Sequence, residues 1–115
     1  MTARVTPRIE VFEVTLDGRT VGHVHSDTAG ERSEWEVHPE QDELLYLVRG
    51  ATDVVLRDDP DDATSERVLH LRAGEACEVP RQVWHRQVVH EPSLLLFLSP
   101  PSIHRPYAPP DGWDD

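Results

Sequence analysis

The sequence predicts an all-β fold closed into a barrel or sandwich, on three observations. Short runs of alternating or continuous apolar residues recur at close intervals, each bounded by Gly, Pro or Asp. No window of useful length carries apolar residues at helical spacing. The 10 prolines fall at the boundaries of these runs and in the C-terminal segment, where a strand tolerates them.

The runs read as about nine strands, the number and spacing of a sandwich or closed barrel. Arg8 to Leu16 alternates polar and apolar residues, and Asp17-Gly18 is a hairpin turn signal. Thr20 to His25 follows, then a polar loop from Ser26 to Arg32, then Ser33 to His38. Leu44 to Val48 is continuously apolar and is ended by Arg49-Gly50, with Thr52 to Leu56 as the return strand of a hairpin. An acidic loop, Asp58-Asp59-Pro60-Asp61-Asp62, leads into Arg67 to Leu71. After the turn Arg72-Ala73-Gly74-Glu75 come the short run Ala76 to Val79, then Val83 to His90 and Ser93 to Leu98, separated by Glu91-Pro92. Residues 1–115 are read as one domain, with a barrel core at about 8–98 and an extended Pro-rich tail at 99–115 lying over the barrel or hanging off it.

Composition removes several classes of function. A net charge of −11 argues against nucleic acid and against an anionic membrane, both of which need a basic face. The acidic loop and Asp111, Asp114 and Asp115 read as solvated charge. All 11 basic residues are arginine, so Schiff-base, pyridoxal-phosphate and Walker-type chemistry are excluded. There is no G-x-S-x-G elbow and no G-x-G-x-x-G loop. The single cysteine, Cys77, reads as packed and inert. The stretch Met1 to Pro7 has no apolar signal core and no run approaches membrane-spanning length, so cytoplasmic residence is expected.

The chemistry-bearing pattern is Glu36-x-His38-x4-Glu43-x6-Gly50 followed by Gly74-x5-Pro80-x4-His85. Glu36 and His38 are two apart, so a strand presents both on one face. Glu43 and His85 arrive from other strands. Two imidazoles and two carboxylates can then meet at a point suited to a divalent metal. The mixed nitrogen and oxygen set favours Fe, Mn, Zn or Ni. If they do not meet, both histidines line a polar pocket and the barrel binds a ligand the sequence does not name.

This two-part pattern resembles the cupin superfamily over roughly Ser33 to Leu98. The family's first motif is G-x5-H-x-H-x(3,4)-E-x6-G and its second is G-x5-P-x-G-x2-H-x3-N. The resemblance implies a jelly-roll barrel, with His38, Glu43 and His85 in the places of the second histidine, the glutamate and the last histidine of the usual metal-ligand set. Here Glu36 stands where the family has its first histidine, Gln82 where it has glycine, and Val89 where it has asparagine.

With Glu43 facing inward, Leu45 and Leu47 share its face, and Gln87 shares that of His85. Gln87, Leu45 and Leu47 are therefore the candidate substrate-pocket residues. The other face of the same strand, Leu44, Tyr46 and Val48, is also apolar, so cover from another sheet or subunit is expected. Together with Trp35 and Trp84, which point away from the inward face, this predicts a homodimer. His23 and His25 read as surface or pocket-rim residues, and Arg49 and Arg81 as solvated.

Two functional readings stay open. The leading one is a metal-dependent enzyme that acts on a small organic metabolite in the barrel, as a dioxygenase or oxidase or as an isomerase or lyase, with Glu36 and His85 catalytic. The alternative is a barrel that binds a small ligand without turnover.

Overall fold

The computed structural model describes residues 8–30 and 32–105, and the side chains of 15–30 and 32–104. The segment Met1–Pro7, and the tail beyond Arg105 with its three aspartates, lie outside the described residues. Among the described residues there are eight strands: β1 (Arg8–Leu16), β2 (Arg19–Ser26), β3 (Trp35–Val37), β4 (Glu43–Arg57), β5 (Arg67–Arg72), β6 (Ala76–Val79), β7 (Trp84–Ser99) and β8 (Ile103–Arg105). A 3-10 turn at Ala63–Ser65 is the helical element of the described residues. No helix among them is long and apolar enough to cross a membrane.

All pairings between strands are antiparallel, and the register divides one curled sheet into two halves. Two long strands run through both. Residues 44–49 of β4 pair with 94–98 of β7, and residues 51–57 pair with 84–91. One half therefore reads β1-β2-β7-β4-β6, using the start of β4 and the end of β7. The other reads β8-β3-β7-β4-β5, using their opposite ends. This is the jelly-roll architecture that the family resemblance implied.

The Arg49-Gly50 and Glu91-Pro92 boundaries, expected to separate strands, are instead bends inside β4 and β7. They nest against each other. Gly50 has φ +98°, and a Cβ built on it would sit 2.2 Å from Ser93 Oγ and 2.4 Å from the Pro92 carbonyl oxygen. Only glycine fits that backbone angle and that space. The bulge also changes the phase of β4. Leu45 and Leu47 are buried before it, whereas Thr52, Val54 and Leu56 are buried after it. Odd positions face the core first and even positions afterwards, so one strand serves both halves with a filled interior.

Leu45, Leu47, Val54, Leu56, Leu71, Val79 and Leu95 form the apolar core, and each such side chain contributes about 1.5–3 kcal/mol on burial. The Asp17-Gly18 turn forms as expected, with φ 53° and 76° at its two residues. The acidic loop is better built than free solvated charge. Asp62 caps the 3-10 turn by accepting from the Thr64 N–H at 3.0 Å. Arg57 donates to the Pro60 carbonyl at 2.5 Å and to Glu66 Oε1 at 2.9 Å, which ties the loop to the barrel.

Trp35 corrects the expectation of a bare outer face. It is 1% exposed, with Arg57 Cζ 5.0 Å and Arg86 Cζ 4.6 Å from its ring centroid. Two guanidinium planes cover the indole by cation–π contact, so it is buried within the chain itself. On β4, by contrast, Leu44, Tyr46 and Val48 are exposed at 39%, 42% and 39%.

Candidate metal centre

Register brings the four candidate residues together. Glu36 on β3 lies directly opposite His85 on β7. Val37 turns the other way and is buried, so His38 returns to the face of Glu36. The Gln82 N–H donates to the His38 carbonyl at 2.9 Å and holds the chain just past β3. Gln82 occupies the glycine place of the second motif, and it keeps the glycine-like backbone, with φ 67°. Glu43 opens β4, and because Leu44 pairs with Leu98, the next step in register sets Ser99 opposite it.

One atom of each residue points to a common centre, all within 4.8 Å of one another. His38 Nε2 is 3.3 Å from Glu36 Oε1 and 3.2 Å from Glu43 Oε1. His85 Nε2 is 3.1 Å and 3.0 Å from the same two oxygens. The imidazole rings lie 5.2 Å apart, stacked at 29°. His38, Glu43 and His85 are buried, and Glu36 is partly open, with its side chain 23% exposed.

Charge and burial compete here. Burial alone would depress both histidines, but the carboxylates of Glu36 and Glu43 outweigh it. They hold His38 at about 10 and His85 at about 9. Burial alone would likewise raise Glu36 and Glu43, but the two imidazoles keep both carboxyls below the usual range. Without a cation the cluster therefore carries two positive and two negative charges at neutral pH.

The donor set fits a divalent ion on independent grounds. His38 Nε2 and Glu43 Oε1 are buried and make no aligned hydrogen bond, although each lies at ion-pair distance from the other. Buried polar atoms are normally satisfied, so two that converge on one point with ion-pair contacts alone fit a shared ligand. The other ring nitrogen of His38 is already committed, since Nδ1–H donates to the Pro100 carbonyl at 3.0 Å. That bond fixes the tautomer that leaves Nε2 free to coordinate. Glu43 Oε2 accepts from the Ser99 hydroxyl, leaving Oε1 toward the centre.

Leu45 and Leu47, expected to line a substrate pocket, are buried members of the apolar core. Gln87 is half-buried; its backbone N–H donates to Ser33 Oγ at 2.8 Å, and its side-chain Nε2 is buried without a hydrogen bond. His23 and His25 stand edge to face at 4.4 Å on β2 and do not join the four-residue cluster. Arg49 and Arg81 are exposed, Trp84 is half-buried, and Cys77 is a half-buried free thiol pushed up to about 11 by burial and then by the charge of Glu43. A hollow of about 240 Å³ is lined by Pro39, Glu40, Pro101, Ser102 and Ile103.

Sequence reasoning missed three contributors: Ser99, the Pro100 carbonyl and His104. His104 on β8 lies opposite Glu36, and its Nε2 is 3.0 Å from Glu36 Oε2. The Ser93-to-Ser99 alternation on β7 does place Ser99 inward. Neither a backbone carbonyl nor a three-residue edge strand leaves a readable pattern.

Comparison with known proteins agrees with this architecture. No curated protein matches the chain. Among solved structures, KdgF from Halomonas sp. is 25% identical, with a TM-score of 0.62, over 83% of this chain and 79% of that one. A conserved protein with a double-stranded β-helix domain from Klebsiella pneumoniae is 16% identical, with a TM-score of 0.69, over 93% and 90%. Bacillus subtilis oxalate decarboxylase, which has Mn(II) centres, is 19% identical, with a TM-score of 0.61, over 76% of this chain and 24% of that one. The cupin domain model Cupin_2 matches residues 23–99, a span that holds all four clustered residues and both bends of the barrel. The chain therefore belongs to the cupin family.

Proposed function

We propose that this cupin is a metal-dependent enzyme. It would hold one divalent ion on Glu36, His38, Glu43 and His85 and act on a small organic metabolite within the barrel. The observation that carries this reading is the pair His38 Nε2 and Glu43 Oε1, buried, without an aligned hydrogen bond, and aimed with Glu36 and His85 at one point. Fe, Mn, Zn or Ni would suit two imidazole nitrogens and two carboxylate oxygens. When bound, the ion supplies Lewis acidity, and iron or manganese also supplies redox chemistry.

The roles of the chain's own residues follow from burial. His38, Glu43 and His85 are enclosed and serve to bind and orient. Glu36 is the most accessible of the four, and His104 Nε2 lies 3.0 Å from its outer oxygen. It is the group best placed to hold or move a proton for a substrate. Gln87 offers an unpaired amide nitrogen on the face shared with His85 and is the candidate for orienting substrate. Isomerase or lyase chemistry would use Glu36 in this way, and oxidation would use it as a fourth ligand.

One observation favours the alternative, a barrel that binds a small ligand without metal or turnover. Two imidazolium and two carboxylate groups already neutralise one another, so the cluster balances its charge without a cation. Metal analysis of protein purified without chelator separates the two. The enzyme reading expects about one equivalent, lost in His85→Ala. Less than ~0.1 equivalent, with no uptake on titration, would refute it. We also propose a homodimer through the exposed Leu44, Tyr46 and Val48 stripe, and light scattering showing a monomer at high concentration would count against it.

A further inference from the structure

We infer that the segment Ser99–His104 is a positioning strap for the four-residue centre, fixing from outside which atom of each ligand faces inward. The inference rests on the metal reading proposed above. Three contacts within six residues carry it. The Ser99 hydroxyl donates to Glu43 Oε2. The Pro100 carbonyl accepts from His38 Nδ1 at 3.0 Å, with the Pro101 carbonyl also in reach at 3.4 Å. His104 Nε2 meets Glu36 Oε2 at 3.0 Å.

Each contact takes the atom that the centre does not use. The converging atoms are Glu36 Oε1, His38 Nε2, Glu43 Oε1 and His85 Nε2. The strap holds Oε2 of Glu36, Nδ1 of His38 and Oε2 of Glu43. A carboxylate tethered by one oxygen presents the other in a fixed direction, and an imidazole tethered at Nδ1 presents the Nε2 lone pair. His85 is the one member the strap does not touch; its Nδ1 is buried without a hydrogen bond, and its place is set by its pairing opposite Glu36.

The strap is itself anchored. Ile103, His104 and Arg105 pair with Val37, Glu36 and Trp35. Ser102 Oγ lies 3.1 Å from His104 Nε2, and Glu34 Oε1 lies 3.7 Å from His104 Nδ1. The prolines at 100 and 101 restrict the backbone that delivers the carbonyl to His38. The strap acts on ligand geometry, so its loss should change how a metal is held more than whether the barrel folds.

Titration of metal-free protein with Co(II) tests this, reading both affinity and the visible absorption of the ion. Wild type should bind one equivalent. Ser99→Ala and His104→Ala should each weaken binding about tenfold and alter the absorption band, because a freed carboxylate changes its mode of coordination. His104→Gln, which keeps an N–H donor, should recover most of the affinity and the wild-type band. His104 is exposed, so its alanine variant should melt close to wild type when metal-free. If Ser99→Ala does not fold, the two His104 variants decide. Wild-type uptake with both alanine variants within twofold in affinity and unchanged in absorption would overturn the strap and leave the metal reading standing. No uptake by wild type would sink the metal reading and the strap with it.

Discussion

Metal uptake by this centre should expel two protons at pH 7. In the metal-free protein His38 is held at about 10 and His85 at about 9, so both rings are charged at pH 7. Glu36 and Glu43 are depressed and ionised. A divalent ion needs both imidazoles neutral, so two protons leave as two positive charges enter. Ordinary histidines with a pKa of 6.5 would each be about a quarter protonated at pH 7 and would release only about 0.5 proton together. The gap of roughly 1.5 protons is readable by isothermal titration calorimetry in buffers of different ionisation enthalpy, where the slope of observed against buffer enthalpy counts protons. The expected slope is about 2. Affinity should also fall about 100-fold per pH unit between pH 8 and 6, or ~2.7 kcal/mol per unit. Tight binding with a slope at or below about 0.5 would refute the argument that the carboxylates keep both rings charged.

The same shifts set the pH course of metal-free stability. The histidines are raised on folding, so their contribution is complete below pH 6.5 and is lost as pH climbs through about 9 and 10. The glutamates are depressed, so theirs is complete above pH 4.5 and is lost as pH falls. The melting temperature of chelator-treated protein should decline from pH 7 to 10.5, and a flat profile would count against this account. Gly50→Ala adds a Cβ 2.2 Å from Ser93 Oγ at φ +98°, and denaturant unfolding should show a loss of about 3 kcal/mol or a failure to fold. Gln82→Gly relieves a left-handed backbone at φ 67° and should raise stability by up to ~1 kcal/mol in the same assay; a loss would mean the glutamine side chain has a role there. Arg57→Ala strips one cover from Trp35 and breaks the bonds to Pro60 and Glu66, which should cost about 1–3 kcal/mol and move Trp fluorescence to the red.

The sequence was most legible where the period of two does the work. Glu36 and His38 fall on one face because they are two apart, and the motif spacing brings Glu43 and His85 to meet them. It was least legible where turn residues do something other than end a strand. Arg49-Gly50 and Glu91-Pro92 carry the composition of turns, but whether such a pair reverses the chain or bends it depends on what packs against it, here each on the other. Trp35 misled for a related reason: period places it on the outward face, but only the fold brings Arg57 and Arg86 over it. Of the strap's contacts only Ser99 left a signal, in the alternation of β7, since the others are a backbone carbonyl and a residue of a three-residue edge strand.

The nested bends of β4 and β7 bear on how the chain reaches its fold. Both halves of the sheet use the same two strands, so neither half can assemble or come apart alone. Residues as distant as Leu44 and Leu98 must find their register before the sheet is complete. Such non-local closure places the protein among slow folders, with refolding in milliseconds to seconds rather than microseconds. It also means that amide protons in the two halves should exchange through one shared opening event, with closely similar protection at Leu47 and Val54 on either side of the bend.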